Sequence, residues 1–112
     1  TQDRPDSFCL QMAEKLGSRP GDTVVFGHTH KPWHRTVEGI QFVNAGSVGR
    51  PKDGDWRACC LLLHLEDGAT GKKGQVRPEF LRVEYDLARA QKAIRESGLP
   101  EEFAQVLETG GK

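Results

Sequence analysis

Val24-Val25-Phe26-Gly27-His28-Thr29-His30-Lys31-Pro32 is the stretch from which the rest of the chain is read. Its β-branched and aromatic residues predict a short buried strand over Thr23 to Phe26. Gly27 ends the strand, and two histidines follow at i and i+2. In extended backbone, residues two apart share a face, with Cα atoms about 6–7 Å apart. Neutral imidazole is the commonest protein metal ligand. Two rings leaving one strand end can therefore grip one metal from two sides, or serve two adjacent metals. A bare His-x-His pair is more often just two polar residues at a strand end. Context favours ligation here, because a second glycine-rich loop follows a hairpin, and strand ends bearing loops are where α/β sheets place ligands.

N-terminal to this stretch, Cys9, Met12, Ala13 and Leu16 recur at helical spacing. They predict a helix from about Asp6 to Leu16, capped by Asp6 or Ser7 and stopped by Gly17. Ser18 to Asp22 makes the turn into the strand. C-terminal to it, His34–Val37 and Ile40–Val43 flank Glu38-Gly39, a two-residue hairpin connection. Asn44 to Asp55 is a long connection rich in Gly and Pro. Loops of this length inside a domain are either functional or closely packed on the surface.

Ala58 to Leu65 is apolar without alternation, which predicts a strand covered on both faces. Glu66 to Gly74 reads as a polar turn. Phe80 to Tyr85 alternates, with Leu81, Val83 and Tyr85 on one face. Two helices close the chain. Asp86 caps the first, Leu87, Ala90, Ala93 and Ile94 face inward, and Gly98 ends it. Pro100 lies in the first turn of the second, whose apolar face is Phe103, Val106 and Leu107. Thr109 to Lys112 reads as a frayed end. No internal repeat is visible, and 1–112 reads as one compact layered unit.

The 112 residues balance 16 basic against 16 acidic side chains, so no net field draws the chain to nucleic acid or an anionic membrane. No apolar run approaches the roughly 18 residues of a membrane-spanning helix, and no signal pattern opens the sequence. Thr1 in place of Met is expected of processing, an engineered boundary or an incomplete chain. The three cysteines, with Cys59 and Cys60 adjacent on one strand, are expected to be reduced and buried in a cytoplasmic protein. No Cys-x-x-Cys is present, which removes zinc-ribbon and thioredoxin-like readings.

Phe26-Gly27-His28-Thr29-His30-Lys31-Pro32, followed by Asn44-Ala45-Gly46-Ser47-Val48-Gly49-Arg50-Pro51, resembles the C-terminal signature of the calcineurin-like metallophosphoesterases, in particular the small phosphodiesterase-type members. The resemblance runs on through Asp53-Gly54-Asp55, the apolar strand, Tyr85-Asp86 and Gly98-Leu99-Pro100. Ala45 departs from the proline usual in the family. The resemblance implies an α+β fold, the C-terminal half of a four-layer α/β/β/α sandwich with mixed or antiparallel sheets and flanking helices. Residues 1–112 would then be a single partial domain.

It also implies a dinuclear centre of divalent ions (Mn, Fe, Zn or Ni), with His28 on one metal and His30 on the other. Such a centre activates water for in-line attack on a phosphate ester and clamps the phosphoryl oxygens. The family's Asp-x-His, Gly-Asp-x-x-Asp and Gly-Asn-His-Asp/Glu motifs are absent, and Val25 stands where a second aspartate would follow Gly21-Asp22. The catalytic residues are therefore expected upstream of Thr1. The 112-residue chain alone is expected to bind metal weakly and to lack phosphoesterase activity. The alternative is a non-catalytic interaction scaffold of the same fold. A half-sandwich exposes a sheet face, so self-association or pairing with a missing N-terminal half is expected.

Other chemistry-bearing residues have plainer readings beside the functional ones. Ser47 and Arg50 could contact a substrate phosphate, or simply pack the loop. His34 reads as a surface histidine of the hairpin, since Pro32 rules out a helix joining it to His30. His64 reads as a hydrogen-bonded core or edge residue. Trp33 and Trp56 either wall the site or bury apolar area.

Overall fold

The computed structural model describes residues 6–66 and 74–112. The elements run α1 (Asp6–Leu16), β1 (Thr23–Phe26), β2 (Trp33–Val37), β3 (Ile40–Asn44), β4 (Ala58–Glu66), β5 (Gln75–Val83), α2 (Leu87–Glu96) and α3 (Glu101–Thr109). The reading of Glu66 to Gly74 as a turn falls largely on 67–73, outside the described residues.

Strand β3 is the centre of a three-stranded sheet, parallel to β1 and antiparallel to β2. Glu38 (φ 50°) and Gly39 (φ 80°) both take positive φ in the β2–β3 turn, the type I′ geometry that matches strand twist. Phe42 and Val43 point to opposite faces of β3, yet both are fully buried. On the Phe42 side, Cys9 and Ala13 of α1 pack with Val37 and Ile40. Burying a side chain such as Phe42 contributes roughly 1.5–3 kcal/mol. Leu16, expected on the same helix face, is exposed and takes no part in this cluster.

Strands β4 and β5 form a separate antiparallel ribbon, in register from Ala58↔Val83 to Glu66↔Gln75. One ribbon face carries the pairs Leu61/Phe80, Leu63/Pro78 and Leu65/Val76, and the other Leu62/Glu79 and His64/Arg77. The expectation that β4 is covered on both faces is wrong. Leu63 is 41% exposed and Leu65 75%, although Gln41 of β3 reaches the distal half of the ribbon, its Nε2 donating to the Val76 carbonyl at 2.7 Å. Strand β5 starts five residues earlier than its alternation suggested. Pro78 masked the strand in sequence, but in a two-stranded ribbon its missing N–H can face outward.

The helical pair also differs in detail. Asp86 caps α2, its carboxylate accepting from the Arg89 N–H at 3.1 Å. The buried residue of α2 is Gln91, whose Nε2 donates to the Ala104 carbonyl at 3.0 Å. Helix α2 therefore meets α3 on its Gln91 side. Ala90, Ala93 and Ile94 are left lining an open apolar groove of about 480 Å³, with Ala93 exposed. Pro100 is the N-cap of α3, one position before the first turn. The predicted frayed end is instead docked: Gly110 is buried, and its carbonyl accepts from the Gly54 N–H at 3.0 Å.

The molecule is elongated, 56 × 28 × 19 Å, with a radius of gyration of 17.3 Å. A compact domain of this length has about 13 Å. The single compact unit read from sequence is thus an open arrangement of α1, the three-stranded sheet, the ribbon and a helical pair.

Candidate metal centre

Strand β1 stops at Phe26, and His28 (φ 94°) and His30 (φ 65°) both adopt positive φ. The two histidines are therefore not in extended backbone, and the same-face rule for strands does not bring them together. A sharp bend does. Non-glycine residues at positive φ cost on the order of 1–3 kcal/mol and persist only where the surroundings hold them.

Asn44, the last residue of β3, supplies part of that hold. It is 0% exposed and lies in register between Phe26 of β1 and Trp33 of β2. Its Nδ2 donates to the hydroxyl of Thr29, between the two histidines, at 2.9 Å. Its Oδ1 accepts from the Gly46 N–H at 3.0 Å. One buried amide thus ties the strand end to the histidine bend on one side and the glycine-rich loop on the other.

The same loop grips His30 directly. His30 Nδ1 lies 3.0 Å from the Arg50 carbonyl oxygen, and the Lys52 N–H donates to the His30 carbonyl at 3.1 Å. A carbonyl can only accept, so Nδ1 carries the proton. In neutral His30 the lone pair is then on Nε2, the arrangement in which backbone carbonyls orient metal-binding imidazoles. His28 is exposed at the apex of the bend.

Ser47 and Arg50 are placed by loop architecture. The Ser47 hydroxyl accepts from the Arg50 N–H at 2.9 Å, and its carbonyl accepts from the Cys59 N–H at 3.1 Å. The Arg50 guanidinium lies over the Phe103 ring of α3, 5.3 Å from its centroid. What Arg50 presents to His30 is its main chain. Neither Asn44 nor the Arg50 carbonyl was assigned a role from sequence. The available signal was one amide side chain between an apolar strand and a glycine.

The other two histidines have protein partners. His34 Nε2 donates to Gln41 Oε1 at 2.9 Å, and His64 Nε2 to Glu79 Oε1 at 2.8 Å, as expected of a hairpin and an edge histidine. The Trp33 ring meets Phe26 edge-on at 5.1 Å, and Trp56 meets Tyr85 at 5.5 Å. Both indoles therefore pack against other aromatic rings.

Further along the loop, Asp55 accepts from the Arg57 side chain at 3.1 and 2.8 Å and from the Arg57 N–H at 3.0 Å. The Arg57 side chain, then its N–H, lower the Asp55 carboxyl from 3.8 to about 2, against the upward push of desolvation. Arg82 of β5 pairs with Asp53, and its Nε lies 3.8 Å from Asp55. These ion pairs pin the second half of the loop to the ribbon. The Cys59 thiol beneath it is pushed up, first by burial. A thiol so placed is a poor nucleophile.

The donor chemistry of His30 and His28 fits a divalent ion of the borderline-soft kind. Two imidazoles make only part of a coordination shell. Among the described residues no cluster of three or more His, Cys, Asp or Glu side chains could complete one. Nor is any helix there long and apolar enough to cross a membrane.

Comparison with known proteins adds to this geometry. The profile of the calcineurin-like phosphoesterase superfamily domain matches residues 5–68. An uncharacterised protein of Methanocaldococcus jannaschii is 30% identical, over 80% of this chain and 40% of its own length. A metallophosphoesterase from Sphaerobacter thermophilus superposes with a TM-score of 0.61 at 28% identity, over 79% of this chain and 42% of that one. A protein from Pyrococcus horikoshii superposes with a TM-score of 0.72 at 24% identity, over 98% of this chain and 40% of that one, a likeness of fold alone. The α+β architecture is thus that of the metallophosphoesterases, and the chain spans about two-fifths of the length of these relatives.

Proposed function

The chain belongs to the calcineurin-like phosphoesterase superfamily, and on that premise we propose that its histidine bend furnishes part of the dinuclear metal centre of a phosphate-ester hydrolase. His28 would hold one divalent ion and His30 the other, each through an imidazole nitrogen. Mn, Fe, Zn and Ni all suit such mixed nitrogen and oxygen ligation. Bound there, the ions supply Lewis acidity toward phosphoryl oxygens and acidify water. The protein's part is to hold the two rings in place. The observation that carries this reading is the His30 Nδ1–H bond to the Arg50 carbonyl, which leaves Nε2 directed by the fold and free to ligate.

The remaining ligands and the groups that handle the leaving oxygen would come from outside these 112 residues. The chain alone is therefore proposed to bind metal weakly and to be inactive. Ser47 and Arg50 are kept as substrate-side residues. For Arg50 this needs the guanidinium to leave Phe103 and reach a phosphate. The exposed apolar face of the β4–β5 ribbon would be covered by further chain or by a second copy, and the reduced thiols suit a cytoplasmic setting.

A second reading, a non-catalytic scaffold of the same fold, is supported by the lack of a third ligand among the described residues. The test is an assay of the purified chain, with Mn²⁺, against a generic phosphodiester, together with a measurement of Mn²⁺ binding. Weak binding that is lost in His28→Ala and His30→Ala, without turnover, is expected. Turnover contradicts the proposed inactivity, and binding unaffected by either substitution favours the scaffold.

A further inference from the structure

We propose that Gly110 and Gly111, at the end of α3, position the His30 imidazole through the strap Arg50–Gly54. This rests on the reading of His30 as a metal ligand. The strap's first half touches His30 twice, through the Arg50 carbonyl to Nδ1 at 3.0 Å and the Lys52 N–H to the His30 carbonyl at 3.1 Å. Its second half touches the end of α3. The Gly54 N–H donates to the Gly110 carbonyl at 3.0 Å, while at the strap's other end the Arg50 guanidinium lies over Phe103 in the first turn of α3.

The glycines are needed for two reasons. Gly110 (φ 64°) is the left-handed C-cap of α3, and Gly111 follows at φ 84°. The strap also leaves no room for a side chain. A Cβ on Gly110 would lie 2.4 Å from the Asp55 nitrogen, and one on Gly111 2.8 Å from the Pro51 carbonyl oxygen and the Lys52 Cα. Backbone thus packs on backbone, and backbone cannot rotate aside as a long side chain can. Pushing the strap off α3 moves Arg50 and Lys52, and with them the two contacts that hold the His30 ring and its carbonyl. Because Asp53 and Asp55 are held by Arg82 and Arg57, the strap has little freedom to absorb the shift within itself.

The test compares Gly110→Ala, a variant lacking residues 110–112, and Gly98→Ala. Gly98 also sits at positive φ (87°) past a helix end, but its added Cβ meets nothing within 4 Å. It therefore controls for general backbone strain. The deletion removes the backing without inserting an atom, so it reads the effect if Gly110→Ala does not fold. Nitrogen NMR of labelled histidine in the metal-free chain reports the tautomer of neutral His30. Titration with Mn²⁺ alone reports affinity.

Wild type and Gly98→Ala are expected to hold the Nδ1–H tautomer. Gly110→Ala and the deletion should shift toward Nε2–H and bind Mn²⁺ at least about tenfold more weakly, the usual cost of losing a group that orients a ligand. An unchanged tautomer in both strap variants overturns the proposal, as does an equal shift in Gly98→Ala. If the tautomer shifts as expected but wild type binds no Mn²⁺, the positioning stands and the metal reading falls.

Discussion

The Nδ1 of His30 donates to the carbonyl oxygen of Arg50 across 3.0 Å, although twenty residues separate them in the chain. That bond joins the bend after β1 to the long loop after β3. It also fixes which ring nitrogen is left to act as a ligand. Sequence alone links the two segments only by resemblance, whereas here they meet through a main-chain carbonyl that any residue could have supplied.

Asn44→Ala is expected to destabilise the protein by about 2 kcal/mol, the scale for removing a buried group whose partners lose their hydrogen bonds. Thr29 Oγ1 and the Gly46 N–H are those partners. Asn44→Asp keeps an acceptor for Gly46 but loses the donor to Thr29. Chemical denaturation should find Asn44→Asp folded, with His28 and His30 more mobile on the NMR timescale than in wild type.

Asp55 sets an acid limit. Its folded carboxyl lies at about 2 against an ordinary 3.8, so as pH falls the unfolded chain takes up the proton first. Its contribution is therefore complete above 3.8, declines as pH falls and is gone below about 2. With the side chain 27% exposed, solvent screening leaves on the order of 1 kcal/mol. Urea denaturation should show wild type more stable than Asp55→Asn near neutral pH. The difference should shrink across that acid window, and a gap independent of pH contradicts the assignment.

The legible parts of the fold were those set by local chemistry. Asp86 capping α2, the Glu38-Gly39 hairpin and the strand ending in Gly27 follow from side chains acting on their own backbone. The ends of β5 and the docking of Gly110 depend on distant partners. Pro78 disguised a strand because its tolerance comes from ribbon geometry, and Gly110-Gly111 resembled a loose tail because a missing Cβ does not say what fills its place. At the site, the histidine pair was legible as a pair. Its geometry was not, since the positive φ of His28 and His30 is imposed by Asn44 and the loop and not by their own preference.

The ribbon face bearing Leu63 and Leu65 should drive association of the chain in isolation. Sedimentation is expected to show a concentration-dependent increase in mass. Leu65→Lys, at a position 75% exposed, should reduce that association without loss of secondary structure. A wild-type monomer at all concentrations contradicts the expected self-association.

The most direct measurement is paramagnetic broadening of the four histidine rings on titration with Mn²⁺. His34 and His64 already donate to Gln41 and Glu79, so they serve as internal controls. The prediction is that His28 and His30 broaden at the lowest Mn²⁺ concentrations, and that His28→Ala or His30→Ala raises the concentration needed for the ring that remains. Equal broadening of all four rings, or broadening of His34 or His64 first, contradicts the assignment of this bend as a metal site.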